Sequence, residues 1–185
     1  MNRFIKTSIK DFLNEDLKTI DSFYSENNID PDNLSYLGRG DFGEAYSIGD
    51  GRVLKITTSK NEFELAKQIE SKNIPGFATI YKTDIVGNKK LIILEELEQD
   101  SEIEDLFWEL IGYLDEQGLP IQYLDHLDLE SIEISKRLKS FIDGLDRIIR
   151  SYRNLGIEAS DIKPDNLGYS SSGELKAFDI DDRRR

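Results

Sequence analysis

Asp161, Lys163 and Asn166 stand within six residues of one another, in the run Ala159-Ser160-Asp161-Ile162-Lys163-Pro164-Asp165-Asn166-Leu167. A second carboxylate, Asp179, follows in Phe178-Asp179-Ile180-Asp181, across a short hairpin expected to turn at Ser171-Ser172-Gly173. Chemistry that moves a phosphoryl group uses these parts. It needs an acceptor for the hydroxyl proton, a cation for the transferring phosphate and oxygen ligands for magnesium.

The elements that must position these residues can be read from periodicity and turn chemistry. Ile9, Phe12, Leu13, Leu17, Ile20, Phe23 and Tyr24 recur at three and four, which predicts a packing helix over 8–28. Strands are expected at Leu34–Gly38, Glu44–Ile48 and Arg52–Thr57. The first pair is joined by the glycine-rich turn Gly38-Arg39-Gly40-Asp41-Phe42-Gly43, the second by Gly49-Asp50-Gly51. Ser59 with Glu62 makes a capping box for a helix over about 60–72, whose buried stripe is Phe63, Ala66 and Ile69. Strands Thr79–Val86 and Lys89–Glu95 follow, with Gly87-Asn88 as a two-residue turn. Beyond them Ser101 and Glu104 form a second capping box, opening a helix that bears Ile103, Phe107, Leu110, Ile111 and Leu114. A loop rich in Asp, Leu and Ile is expected to about 133. A strong helix over Ser135–Asn154 then carries Leu138, Phe141, Ile142, Leu145, Ile148, Ile149 and Tyr152.

The totals bound the function. The 185 residues suffice for one domain or two small lobes with a real core. There is no cysteine, which excludes a disulfide scaffold, a thiol nucleophile and cysteine-ligated zinc. The single histidine, His126, excludes a histidine-rich metal site. No apolar run is long enough to span a membrane, and the N-terminus lacks the apolar core of a signal peptide, so a cytoplasmic location is expected. The net charge of −13 repels nucleic acid and anionic lipid and attracts cationic partners.

The run from Asp161 to Asp179 resembles the catalytic loop and metal-binding strand pair of the protein-kinase-like superfamily, His-Arg-Asp-x-Lys-Pro-x-Asn followed by Asp-Phe-Gly. The order strand-strand-strand-helix-strand-strand over 34–97 is similar to that family's N-lobe. The resemblance implies an α+β, bilobal fold. A five-stranded antiparallel N-lobe sheet with one helix would occupy 34–97. A reduced, mainly helical C-lobe would occupy 98–185, and residues 1–33 would be a helical extension. It implies ATP and magnesium as cofactors. Gly38, Gly40 and Gly43 would approach the phosphates, and Lys55 would hold them while pairing with a glutamate. Glu62 is the choice for that partner, with Glu64 as competitor. Backbone groups of Glu95 and Leu97 would bond the adenine edge. Asp161 would orient the acceptor hydroxyl, Lys163 would neutralise the transferring phosphate, and Asn166 and Asp179 would hold magnesium.

The chain departs from the pattern in three places. Ala159-Ser160 replaces His-Arg, Asp179-Ile180-Asp181 replaces Asp-Phe-Gly, and only six residues follow Asp179. The resemblance thus covers about 34–181. It implies either a truncated chain or a minimal kinase in which helix 8–28, segment 101–133 or a second chain covers one side of helix 135–154. The activity expected is phosphotransfer to a hydroxyl of a protein, as in a serine/threonine kinase, or of a small cationic molecule. The alternative is a catalytically idle nucleotide-binding module that docks to a protein partner.

Overall fold

Asp50 and Gly51 both take left-handed backbone, with φ of 51° and 75°. That is what a two-residue I′ hairpin turn requires, and it closes β2 (Gly43–Gly49) onto β3 (Arg52–Thr57). The structure, a computed structural model, describes residues 17–129, 134–159 and 162–179. They form an α+β chain whose main sheet has five antiparallel strands in the order β1-β2-β3-β5-β4. The remaining strands are β1 (Ser35–Gly40), β4 (Ile80–Val86) and β5 (Lys89–Glu95).

The glycine-rich turn is tighter than the six residues expected. Gly40 pairs with Gly43 in the ladder, so only Asp41 and Phe42 lie outside it. Backbone pairing carries β1 two residues past Gly38.

Alternation along the strands gives the sheet two faces. On one, Tyr46, Ile48, Leu54, Ile56, Leu91 and Ile93 join one buried cluster with Ile20, Phe23 and Tyr24 of α1 (Leu17–Glu26). The part of the expected first helix that is described therefore packs on the sheet; Ile9, Phe12 and Leu13 lie outside the described residues. The other face receives α2 (Lys60–Ile69), which buries Phe63, Leu65, Ala66 and Ile69. Lys55 belongs to this second face, one residue from Leu54 and Ile56.

The chain divides into two compact units. One comprises residues 1–72 and 79–96, and the other residues 73–78 and 97–185. Within the second, α3 runs Ser101–Glu116, a 3₁₀ turn spans Ile121–His126, and α4 runs Lys136–Asn154. Asp100, not Ser101, caps α3: its side chain accepts the Glu102 N–H at 3.0 Å. Two cap-capable residues stand side by side here, and the helix begins one residue after the first. Ser135 caps α4 by accepting the Leu138 N–H at 3.0 Å. All seven apolar residues expected on the α4 stripe are buried, and its outer positions carry Lys136, Lys139, Arg147 and Arg150. Arg153 grips Asp125 through two bonds, at 2.9 and 3.1 Å, which holds that carboxyl below its usual pKa. Among the described residues no helix is long and apolar enough to cross a membrane.

Candidate functional site

In the sheet unit the candidate groups centre on Lys55. Its ammonium pairs with the Glu62 carboxylate. Glu62 is the right glutamate for this because it begins the buried side of α2, with Phe63, Leu65, Ala66 and Ile69, whereas Glu64 is exposed. The side chains are 18% and 7% exposed for Lys55 and Glu62. A pair withdrawn that far from water must be satisfied on all sides. The second Glu62 oxygen accepts the Thr57 hydroxyl at 2.7 Å. The capping box is consequently half made. Ser59 Oγ accepts the Glu62 N–H at 3.2 Å, but the Ser59 N–H donates to Thr57 Oγ1 at 3.0 Å. The carboxylate has been taken by Lys55. Thr57 was not foreseen; its signal was a hydroxyl two residues after the strand lysine, on the same face.

The three glycines differ. A Cβ on Gly43 would collide with the Ile56 carbonyl and lie 3.0 Å from Thr57 Cα, so β2 can approach β3 only with glycine there. A Cβ on Gly38 or Gly40 would meet nothing within 4 Å. Of the three, only Gly38 and Gly40 thus leave space open beside the backbone. At the far end of the sheet, the Glu95 N–H donates to the Thr79 carbonyl at 2.9 Å, and its carboxylate accepts the Thr79 N–H at 3.0 Å. The Glu96 N–H donates to Gly51 at 2.8 Å. These donors belong to the sheet. Leu97 begins the second unit; among the described residues its N–H has no protein acceptor.

In the second unit the site is a hairpin of β6 (Leu167–Tyr169) and β7 (Leu175–Ala177). Gly173, with φ of 80°, closes it in the expected turn. Neighbouring chain holds both edges. Glu98 and Tyr169 exchange bonds of 2.8 Å, and Ala177 bonds Gly76 and Ala78 at 2.8 Å each. At its open end Phe178 donates its N–H to the Asn166 carbonyl at 3.1 Å. That sets the buried Asn166 across from Phe178, with Asp179 one residue further. Pro164 excludes helical backbone at Lys163, which is extended and exposed. Asp161, together with Asp181 and Asp182, lies outside the described residues.

Among the described residues no three carboxylate or histidine side chains gather as a metal cage. Magnesium does not need one, because one or two carboxylates with phosphate oxygens and water suffice. Asn166 and Asp179, brought to the same end of the hairpin by the Phe178–Asn166 backbone bond, are of the residue types that donor set uses. No protein-family model and no curated protein matches the chain.

Proposed function

We propose that the chain is a minimal, bilobal kinase-like phosphotransferase that uses ATP and magnesium to phosphorylate a hydroxyl group of a protein or small cationic molecule. The observation that carries this reading is the Lys55–Glu62 pair. A strand lysine in an apolar stretch is held by a helix carboxylate, itself held by Thr57, and still keeps part of its surface. A lysine so fixed is a positioned phosphate ligand rather than a solubilising side chain. The strand order β1-β2-β3-β5-β4, with one helix after β3, supports the same reading. So does the juxtaposition of Asn166 and Asp179 at the hairpin end.

On this reading the residues divide the work as follows. Lys55 holds the α and β phosphates, and Glu62 and Thr57 keep its side chain from straying. The backbone beside Gly38 and Gly40 approaches phosphate oxygens without side-chain obstruction. Leu97 offers its N–H to the adenine edge, with the Glu95 backbone beside it. Asp161 orients the acceptor hydroxyl and takes its proton, and the exposed Lys163 offsets charge on the transferring phosphoryl group. Asn166 and Asp179 would hold magnesium, which when bound supplies charge neutralisation across the phosphates. The test is incubation with labelled ATP and magnesium in the presence of generic protein and amine-bearing small-molecule acceptors. Label transfer by the wild type that Asp161→Asn abolishes is the expected result. Transfer that survives the substitution removes Asp161 from its role. Tight ATP binding with no transfer to any acceptor selects the idle docking module.

A further inference from the structure

Trp108, the only tryptophan of the chain, is 58% exposed on α3. Its neighbours make that exposure specific. Glu104 and Asp105 lie one turn before it on the same side of the helix, the direction in which α-helical side chains lean. One turn after it stands Gly112, where even a Cβ would meet nothing within 4 Å, so the flank of the indole is open. The ring is also held: it sits perpendicular to buried Phe107, at 89° with centroids 5.5 Å apart. Glu109, Asp115 and Glu116 continue the exposed face. Among the described residues none of Glu104, Asp105, Glu109, Asp115 and Glu116 makes an ion pair, whereas Glu102 of the same helix is bonded by Arg137. No lysine or arginine occurs anywhere between Lys90 and Lys136. The chain thus presents a fixed, half-bare indole among carboxylates and offers them no cation from the same stretch.

From this we infer that the outer face of α3 around Trp108 is a docking surface for an arginine-rich segment of a partner protein. Charge complementarity selects a cation. The exposed aromatic face selects guanidinium over ammonium, because a planar, weakly hydrated cation stacks on indole while its donors reach the flanking carboxylates. None of the residues assigned above to phosphate, magnesium or proton transfer is on this helix.

Trp108 is itself the reporter. Its fluorescence is followed while the chain is titrated with an oligoarginine peptide, an oligolysine of equal length and an oligoglutamate. Oligoarginine is expected to change the emission saturably and to bind more tightly than oligolysine, and oligoglutamate not at all. Salt at about 0.5 M weakens the binding, because it shortens the screening length to a few ångströms. By calorimetry, Trp108→Ala weakens oligoarginine binding about threefold to tenfold, the range of a partly desolvated cation–π contact. Combined Glu104→Gln, Asp105→Asn and Glu109→Gln weakens it further. The same charge change made at Glu26, Glu64 and Asp143 leaves it intact. Equal loss from both charge triples would overturn the proposal in favour of diffuse attraction to an acidic protein. So would binding that leaves Trp108 emission unchanged. A concentration-dependent change of emission without any peptide, matched by dimerisation in sedimentation, would assign the face to a second copy instead.

Discussion

Lys55 and Glu62, seven residues apart, meet across the gap between a strand and the helix that follows it, and Glu62 is the more deeply buried of the two. Removing the cation therefore leaves a carboxylate in a poorly hydrated place, still bonded by the Thr57 hydroxyl but without its counter-charge. Lys55→Met keeps the aliphatic stem and removes only the charge. It is expected to cost about 3 kcal/mol in urea unfolding, as broken buried pairs do. Lys55→Met combined with Glu62→Gln should recover a good part of that loss. If the double variant is as unstable as the two single losses added together, the two side chains are not coupled. Nucleotide affinity should fall in both variants, including the one whose stability is restored.

The strand ladder and the turn positions were legible because they are local. A two-residue hairpin with Asp-Gly at its centre announces its own geometry, and period-two or period-three-to-four burial follows from the backbone. What escaped was set by distant partners. Ser59-Glu62 reads as a full capping box until Lys55 takes the carboxylate, although the choice of Glu62 over Glu64 as the partner of Lys55 holds. Ser101 and Asp100 are equally good caps by residue type, and only the helix start separates them. Gly43 belongs with Gly38 and Gly40 in the sequence pattern but is explained by the Ile56 carbonyl on the facing strand β3. The packing of α1 on one sheet face, and the open indole of Trp108 on α3, likewise depend on which surfaces the rest of the chain leaves covered or bare.

The glycines can be separated by experiment. Gly43→Ala sets a methyl group against backbone that cannot turn aside, so β2 and β3 must part, at a cost of about 2–3 kcal/mol. Gly38→Ala and Gly40→Ala meet open space at ordinary backbone angles and should change stability by no more than about 0.5 kcal/mol. If phosphate oxygens approach that backbone, the same two substitutions lower ATP affinity by about tenfold, equivalent to about 1.4 kcal/mol. Unchanged ATP affinity in both would mean that the glycines serve the hairpin alone.

Tyr24 makes the chain sensitive to alkali. Its hydroxyl is buried with no hydrogen-bond partner among the described residues, and burial first, then the nearby Asp21 charge, raise its pKa from 10.0 to about 12. The folded state holds this proton more tightly than the unfolded state does. Its contribution is therefore complete below pH 10 and is lost as pH rises through about 12. Tyr24→Phe removes both the stranded hydroxyl and the titration. Stability at neutral pH should rise by about 1 kcal/mol, since an unsatisfied buried donor no longer has to be accommodated. The fall in stability between pH 10 and 12 should be shallower than in the wild type. A variant less stable than the wild type at neutral pH would show that the hydroxyl is bonded after all.

The end of the hairpin carries two of the proposed magnesium ligands, and α4 sets where that hairpin lies. Gly144 faces Leu175 of β7: a Cβ there would sit 2.8 Å from Leu175 Cβ and 3.1 Å from Cδ2. Leu175 is buried, so the alanine methyl has to displace the strand rather than a free side-chain tip. Alanine is the better helix former by about 1 kcal/mol, which alone would make Gly144→Ala stabilising. The crowding is expected to outweigh it and leave a net loss of about 1–2 kcal/mol. Because β7 leads directly into Phe178 and Asp179, its displacement should also weaken the magnesium dependence of nucleotide binding, measured with and without chelator. Asp179→Asn should abolish that dependence. The two variants reach one ligand pair by different routes, one through packing and one through charge. If Gly144→Ala lowers stability yet keeps full magnesium dependence, the hairpin end tolerates movement and the metal is held elsewhere. If Asp179→Asn keeps it too, Asp179 is not a magnesium ligand.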